Sequence, residues 1–102
     1  MSKYTLIILD AAKEDIIDLS NTIRFEYKSP TTSVKYLRGL YKEMDRLKNN
    51  AQTFSIQSGE YFSKYGFNVR RLNYKKMAII YTVKNDAVYI LRVVPSSTIT
   101  GL

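Results

Sequence analysis

The sequence predicts an α+β domain in the order β-α-α-β-β-β, with a helical hairpin on one face of a mostly antiparallel sheet and the other face left open. Three observations predict it: an apolar, β-branched opening segment, two following segments with apolar residues at spacings of three and four, and three strand-like segments at the end. Residues 1–102 are interpreted as one domain, because the chain is short and contains no repeat or low-complexity linker.

The first half predicts a strand and two helices. The strand covers "YTLIIL" from Tyr4, and a helix from about Ala11 to Tyr27 follows, with Asp10 as its N-cap. Ser29 caps a second helix from about Pro30 to Lys48. We expect these two helices to pack together on the sheet through the apolar positions Ile16, Leu19, Ile23, Leu37, Leu40, Tyr41, Met44 and Leu47.

The second half predicts a loop and three strands. Residues 49–66 are polar and rich in turn-forming residues, and we interpret them as a loop with at most a short element of its own. Strands follow at about 68–73, 76–83 and 87–94. The last two strands are joined by the tight-turn signal "KND", and Pro95 ends the last one.

Alternation along these strands predicts which side chains share a face. If Leu72 points to the helices, Arg71 points to the open face. In the next strand, Ile79, Tyr81 and Val83 share one side and Lys76, Ala78 and Ile80 the other. Tyr81 and Tyr89 are interpreted as packing residues.

The composition excludes several kinds of site. The sequence has no Cys and no His, so it has no disulfide, no thiolate and neither the commonest general base nor the commonest metal ligand. Acidic residues cluster at the start of the first helix, where the macrodipole explains them without a metal. We therefore predict no metal and no cofactor. No segment approaches the roughly 20 apolar residues of a membrane span, so the expected location is cytoplasmic, without a membrane partner.

The positive charge is concentrated in the second half. The net charge is +7, and residues 51–102 hold seven Lys and Arg against two Asp and Glu. This asymmetry favours an acidic partner. The alternative is that these cations lie at a sheet edge and act only against aggregation. The residues predicted to contact a partner are Arg70, Arg71, Tyr74, Lys75, Lys76, Arg92, Tyr61, Tyr65 and Phe67. Arg92 has a second interpretation, an ion pair with Asp86 or with a helix carboxylate.

Nearly the whole chain resembles the ParE/RelE superfamily of toxins from bacterial type II toxin–antitoxin pairs. The stretch "YTLIILDAAKEDIIDL" is similar to the opening strand and helix of that family, and "SPTTSVKYLRGLYKEMDRL" is similar to its second helix. "VRRLNYKKMAIIYTVKNDAVYILRVV" is similar to its C-terminal strands. The resemblance implies an antitoxin that wraps the toxin. It also implies one of two activities, messenger RNA cleavage in the ribosome by RelE-like members or action on DNA gyrase by ParE-like members.

The residues that the resemblance aligns with the ribonuclease set are incomplete. Arg71 matches a strand lysine of that branch, but Ala78 stands where the branch has an arginine. The tail "PSSTITGL" offers neither a cation nor a group that titrates near neutral pH. No catalytic residue is therefore predicted. Under the ribonuclease alternative, Arg71 would supply the cation, and Tyr74 or Glu60 would substitute for the missing acid–base group. A tyrosine with a reference pKa of about 10 would need a large shift for that role.

Three hypotheses follow from the sequence. The first is a ParE-like, plasmid-stabilising toxin that binds DNA gyrase and is neutralised by an antitoxin. The second is a ribosome-dependent ribonuclease, and the third is an inactive protein with the toxin fold that only binds a partner. Pro95, Ser97 and Thr98 depart from the His- and Arg-containing ending common in the ParE-like branch, which keeps the third hypothesis open.

Overall fold

The computed structural model describes residues 3–99 and confirms the predicted fold class. The elements are β1 (Thr5–Ile8), α1 (Asp10–Tyr27), α2 (Pro30–Asn50), α3 (Glu60–Ser63), β2 (Arg70–Tyr74), β3 (Met77–Lys84), β4 (Ala87–Pro95) and a 3₁₀ turn (Ser96–Thr98). The sheet has the order β1-β4-β3-β2. β1 is parallel to β4, and the other neighbours are antiparallel.

The helix termini follow the predicted signals with small shifts. Ser29 caps α2 by accepting a hydrogen bond from the Thr32 amide at 3.3 Å, and Pro30 occupies the first helical position. Asp10 is the first residue of α1 and Leu9 is the N-cap, so the predicted Asp10 cap is wrong by one residue. Asp10 still lies in the first turn, where its charge meets the positive end of the helix dipole.

The main core lies between the helical hairpin and one face of the sheet, as predicted. Ala12 and Ile16 from α1 and Leu40, Met44 and Leu47 from α2 are buried against Leu72, Ile79, Tyr81, Val88 and Ile90. Leu19 and Leu37 are partly buried at its margin. Tyr41 is a correction, because 46% of it is exposed. One residue beyond Leu40 turns the side chain by about 100° around the helix, which carries Tyr41 off the buried stripe.

The second face of the sheet is covered, which corrects the prediction of an open face. Its buried cluster contains Phe62, Val69, Ala78, Ile80, Val94 and Ile99. Alternation gives β3 and β4 apolar side chains on this face as well, and leaving that much apolar surface in water would be unfavourable. The covering residues come from the segment that the sequence had indicated as loop.

Residues 59–66, called the cover segment below, hold the short helix α3. Gly59 and Gly66 bracket the segment with φ angles of +103° and +101°, a region that side chains other than glycine rarely adopt. Between them Phe62 is 2% exposed and fills the second cluster. Phe62 is thus the fully buried residue that attaches this segment to the sheet, with Tyr61 and Tyr65 partly buried beside it.

We expect Phe62→Ala to lower the free energy of unfolding by about 3 kcal/mol, because it removes a fully buried aromatic side chain. Phe67→Ala is the matched control. Phe67 is 93% exposed, so its removal should change the unfolding midpoint little. Equal urea midpoints for the two variants would show that the cover segment does not pack on the sheet in solution.

Tyr81 links the sheet to the end of α2. It is fully buried, and its hydroxyl donates a hydrogen bond to the Ala51 carbonyl oxygen at 2.6 Å. Burial raises the pKa of Tyr81 to about 12, partly offset by the nearby Arg70 cation. The folded protein therefore holds this proton at a pH where the unfolded chain, with a tyrosine pKa of about 10, releases it.

Stability should consequently fall between pH 10 and pH 12, since the folded state binds more protons than the unfolded state there. The contribution of Tyr81 to this fall is about 2–3 kcal/mol. In Tyr81→Phe, urea unfolding across that range should show a correspondingly shallower decline, even though the variant is less stable at pH 7. Parallel pH profiles for the two proteins would contradict the assignment.

Candidate functional site: a groove along α1

A carboxylate from α1 binds the edge of β4. The Asp15 Oδ2 atom accepts hydrogen bonds from Arg92 Nε at 2.6 Å and from the Val93 amide at 2.9 Å, and Oδ1 accepts from Arg92 Nη2 at 2.9 Å. The Asp15 side chain is only 13% exposed. The prediction of a helix carboxylate as the partner of Arg92 is confirmed, and Asp86 is not that partner.

A bulge and a short neighbouring strand give Asp15 access to this edge. Ile80 lies opposite Arg92 and Tyr81 opposite Ile90, so Leu91 is an extra residue in β4. The last pair between β1 and β4 is Ile8 with Ile90. Beyond that pair β1 no longer lies beside β4. The Asp15 carboxylate accepts the hydrogen bond of the Val93 amide there, as a neighbouring strand would otherwise do.

The ion pair leaves part of the arginine free for other contacts. Its hydrogen bonds with Asp15 raise the pKa of Arg92 further above its already high value, so the guanidinium is charged at all relevant pH values. Asp15 uses Nε and Nη2 but not Nη1, and the side chain is 38% exposed.

The cover segment places two tyrosines beside this ion pair. The rings of Tyr61 and Tyr65 lie 6.1 Å apart, and Lys64 Nζ lies 4.2 Å and 5.2 Å from their centroids. Both tyrosines are half-buried against the second cluster, so they are less exposed than the loop composition indicated, and their contact with a partner stays a prediction. Phe67, the third predicted aromatic contact, is fully accessible.

The Tyr65 hydroxyl is buried and has no hydrogen-bond partner among residues 3–99. Burial, with the neighbouring Tyr61 phenol as the next cause, raises the pKa of Tyr65. Tyr61 lies close enough to contribute to this rise but not in hydrogen-bonding geometry. The hydroxyl therefore stays protonated and remains an unused donor.

Two adjoining cavities form what we call the α1 groove. The first, of about 460 Å³, is lined by Asp15, Asp18, Leu19, Thr22, Tyr61, Lys64, Tyr65, Met77, Arg92, Val93, Val94, Pro95 and Thr98. The second, of about 400 Å³, is lined by Leu19, Thr22, Ile23, Glu26, Thr32, Tyr36, Lys75 and Lys76. Leu19 and Thr22 line both cavities, so the groove runs along α1 past these two residues.

The predicted cations of β2 do not form one patch. Arg70 lies on the helix side and donates through Nη1 to the carbonyl oxygens of Phe54, at 2.5 Å, and Gln52, at 3.2 Å. Arg71 lies on the other face, where its Nε donates to Asn73 Oδ1 at 2.7 Å. Only Lys75 and Lys76, at the turn after β2, are adjacent cations exposed to solvent.

Tyr74 is engaged in packing with α2. Its hydroxyl donates to the Tyr36 carbonyl oxygen at 3.2 Å, and its ring packs edge-on to the Tyr36 ring at 5.2 Å. A side chain on Gly39 would collide with the Tyr74 hydroxyl, so this glycine permits the close approach. Lys75 lies 5.2 Å and 5.7 Å from the Tyr36 and Tyr74 ring centroids, next to the groove.

These positions leave no assembled acid–base pair among residues 3–99. Ala78, where an arginine was expected for RNA cleavage, is fully buried in the second cluster. Alternation along β2 puts Arg71 and Tyr74 on opposite faces, so they cannot act on one phosphate. Glu60 lies in the cover segment and is exposed. No three metal-ligating side chains come together within the described chain, and none of its helices is long and apolar enough to cross a membrane.

Sequence reasoning missed Asp15, Leu19 and Thr22 as groove residues. Asp15 stood among other acidic residues of a first helical turn, and nothing in its spacing indicated a partner 77 positions away. The spacing of Leu19 predicts only that it packs in the core between the helices and the sheet. Only the bulge and the cover segment turn this side of α1 into a groove.

Asp15→Asn should lower the free energy of unfolding by about 1–2 kcal/mol, because it leaves a partly buried arginine without its counter-ion. Asp18→Asn is the matched control on the same helix, since Asp18 is exposed and makes no ion pair with residues 3–99. Urea denaturation of both variants at pH 7 checks this. An Asp15→Asn midpoint equal to that of the control would show that the pair contributes nothing measurable.

The comparisons with known proteins agree with this architecture. The family model described as the ParE toxin of type II toxin-antitoxin system, parDE, matches residues 6–99. Among solved structures, a chain of the chromosomal ParDE toxin–antitoxin system from P. aeruginosa aligns with a TM-score of 0.73 at 17% identity, over 91% of this chain and 96% of that one. No curated protein matches this chain. The family match extends from the second residue of β1 through all three helices to the end of the described chain, and the chain belongs to the ParE toxin family of type II toxin–antitoxin systems.

Proposed function

We propose that this ParE toxin acts by binding a protein target, DNA gyrase, in the cytoplasm, and that a cognate antitoxin neutralises it. The observation that carries the proposal is the covered second face of the sheet. Phe62 and the cover segment occupy the surface on which RNA chemistry would need accessible cations and an acid–base pair. A covered, apolar sheet face with a groove beside it supports binding rather than catalysis.

The charge of the protein supports an acidic partner. Arg70, Arg71 and Arg92 are held by acceptors within the chain, whereas Lys75 and Lys76 are exposed at a turn. Attraction by such free cations acts mainly on the association rate and is screened over about 8 Å at physiological salt. The apolar contacts around them then set how long the complex lasts.

The ribonuclease alternative rests on Arg71 alone. Its Nε is bound by Asn73, and Thr53, Ser55 and Gln57 line a polar cavity beside it. These groups could contact a phosphate, but a proton acceptor and a proton donor are missing around it among residues 3–99. RNA binding without cleavage is the most that this cavity supports.

Two parallel assays with the purified toxin test the proposal. The first measures ATP-dependent supercoiling of relaxed plasmid by purified DNA gyrase, where we expect inhibition or trapped cleavage complexes that rise with toxin concentration. The second measures the integrity of messenger RNA on translating ribosomes, where we expect no cleavage.

Codon-dependent cleavage that is lost in Arg71→Gln, together with unimpaired supercoiling, would establish the ribonuclease reading instead. Full gyrase activity, intact messenger RNA and no growth arrest on expression would identify an inactive binding protein. Each outcome thus selects one of the three hypotheses.

A further inference from the structure

We propose that the outward face of α2 binds the sugar–phosphate backbone of duplex DNA. The residues that carry this proposal are Lys35, Arg38 and Lys42, called the α2 stripe below. It rests on the proposed function for its cellular setting, because DNA gyrase holds a duplex beside any protein bound to it. It deepens that function by assigning a surface for the DNA in addition to a contact with the enzyme.

The α2 stripe is a straight row of cations on the solvent side of the helix. Spacings of three and four residues place the three side chains on one face, and all three are exposed. Leu40, Met44 and Leu47 point the other way, into the main core. From Lys35 to Lys42 the helix rises about 10 Å, which corresponds to about three phosphates of one DNA strand at roughly 3.4 Å of duplex axis each.

The α2 stripe has no counter-ions within the described chain. Residues 28–42 hold four Lys and Arg and no Asp or Glu. The two acidic residues that follow, Glu43 and Asp45, pair with Arg46 at 2.9 Å and with Lys48 at 2.7 Å. No cation of the stripe makes an ion pair with residues 3–99. All three charges are therefore available to an anion from outside.

The position of these cations is unfavourable for the free protein. Like charges three and four residues apart on a helix repel each other. The positive end of the helix dipole favours acidic residues, whereas the first turn of α2 has none and its first half carries the stripe. Helix stability therefore does not account for the stripe. A polyanion bound along it would relieve both unfavourable interactions.

A cavity at the start of α2 favours a nucleic acid over an acidic peptide. It encloses about 310 Å³ and is lined by Pro30, Thr31, Val34, Lys35 and Arg38. Val34 is 52% exposed and forms an apolar wall with Pro30, on which the carbon atoms of a deoxyribose can pack. The two cations and the Thr31 hydroxyl supply donors for the adjoining phosphates. Apolar and charged groups thus alternate here as sugar and phosphate do along a strand.

Lys35→Glu combined with Arg38→Glu tests the α2 stripe. The measurement is the affinity of the full chain for a short, fluorescently labelled DNA duplex, by fluorescence anisotropy from about 50 to 200 mM salt. Lys13→Glu combined with Lys84→Glu is the matched control, because it changes the net charge by the same amount. Both control residues are exposed, lie outside the stripe and its cavity, and make no ion pair with residues 3–99.

Wild type should bind the duplex with a slope of log affinity against log salt of about −3, because three neutralised phosphates release their counterions. The stripe variant should bind about tenfold more weakly or worse at low salt, with a slope shallower by about two. The control should bind within about threefold of wild type. The stripe variant should also keep or raise its urea midpoint, since it places carboxylates in the first half of α2.

Two kinds of result would overturn the DNA surface. The first is no binding of the duplex by wild type at low salt. The second is equal affinity of the two variants, because net charge alone would then account for any binding. Poly-glutamate and the single strand of the same sequence serve as competitors. If either one binds more tightly than the duplex, the stripe is a surface for an acidic protein or for unpaired nucleic acid instead.

The supercoiling assay keeps this proposal separate from the proposed function. A wild type that inhibits DNA gyrase but does not bind the duplex would overturn the DNA surface and leave the function standing. A wild type that binds the duplex through the stripe but leaves gyrase fully active would keep the surface and overturn gyrase as the target.

Discussion

The three hydrogen bonds accepted by the Asp15 carboxylate are the constraint on which the rest of the structure depends. β1 ends at Ile8, so the last part of β4 has no strand beside it on that side. An edge strand with free backbone groups is prone to pair with other chains. Asp15 satisfies the Val93 amide and neutralises Arg92, and it thereby fixes α1 against the sheet. The helix cannot shift along the sheet without leaving a charge unpaired, which is costly in a partly buried site.

This anchor also gives the groove its shape. The extra residue Leu91 brings Arg92 to the edge of β4, and Leu91 itself packs in the second cluster. The cover segment is held on the same side by Phe62 and places Tyr65 near the ion pair. Residues of both clusters, one cluster on each face of the sheet, therefore line the first cavity of the groove.

The sequence predicted what local patterns determine. Spacings of three and four located both helices, Ser29 and Pro30 located the start of α2, and alternation assigned Ile79 and Ala78 to opposite faces correctly. It failed where distant segments meet. Phe62 was hidden in a polar stretch, because one aromatic residue carries no periodicity, and the pairing of Arg92 depended on a register shift that no local pattern records. Charge was misleading for the same reason, because a run of cations in sequence says nothing about which of them have acceptors nearby.

The placement of these cations bears on the choice between binding and catalysis. A cation that stabilises a reacting phosphate must be held in place yet remain accessible to the substrate. Arg70 is held by backbone carbonyls on the helix side, and Arg92 is held by Asp15. Only Arg71 remains on the second face, beside a polar cavity that holds no general acid or base among the described residues. The chain thus commits Arg70 and Arg92 to its own architecture and leaves Lys75 and Lys76 exposed at the rim of the groove. That distribution favours attraction of an acidic partner over the fixed electrostatics that catalysis requires.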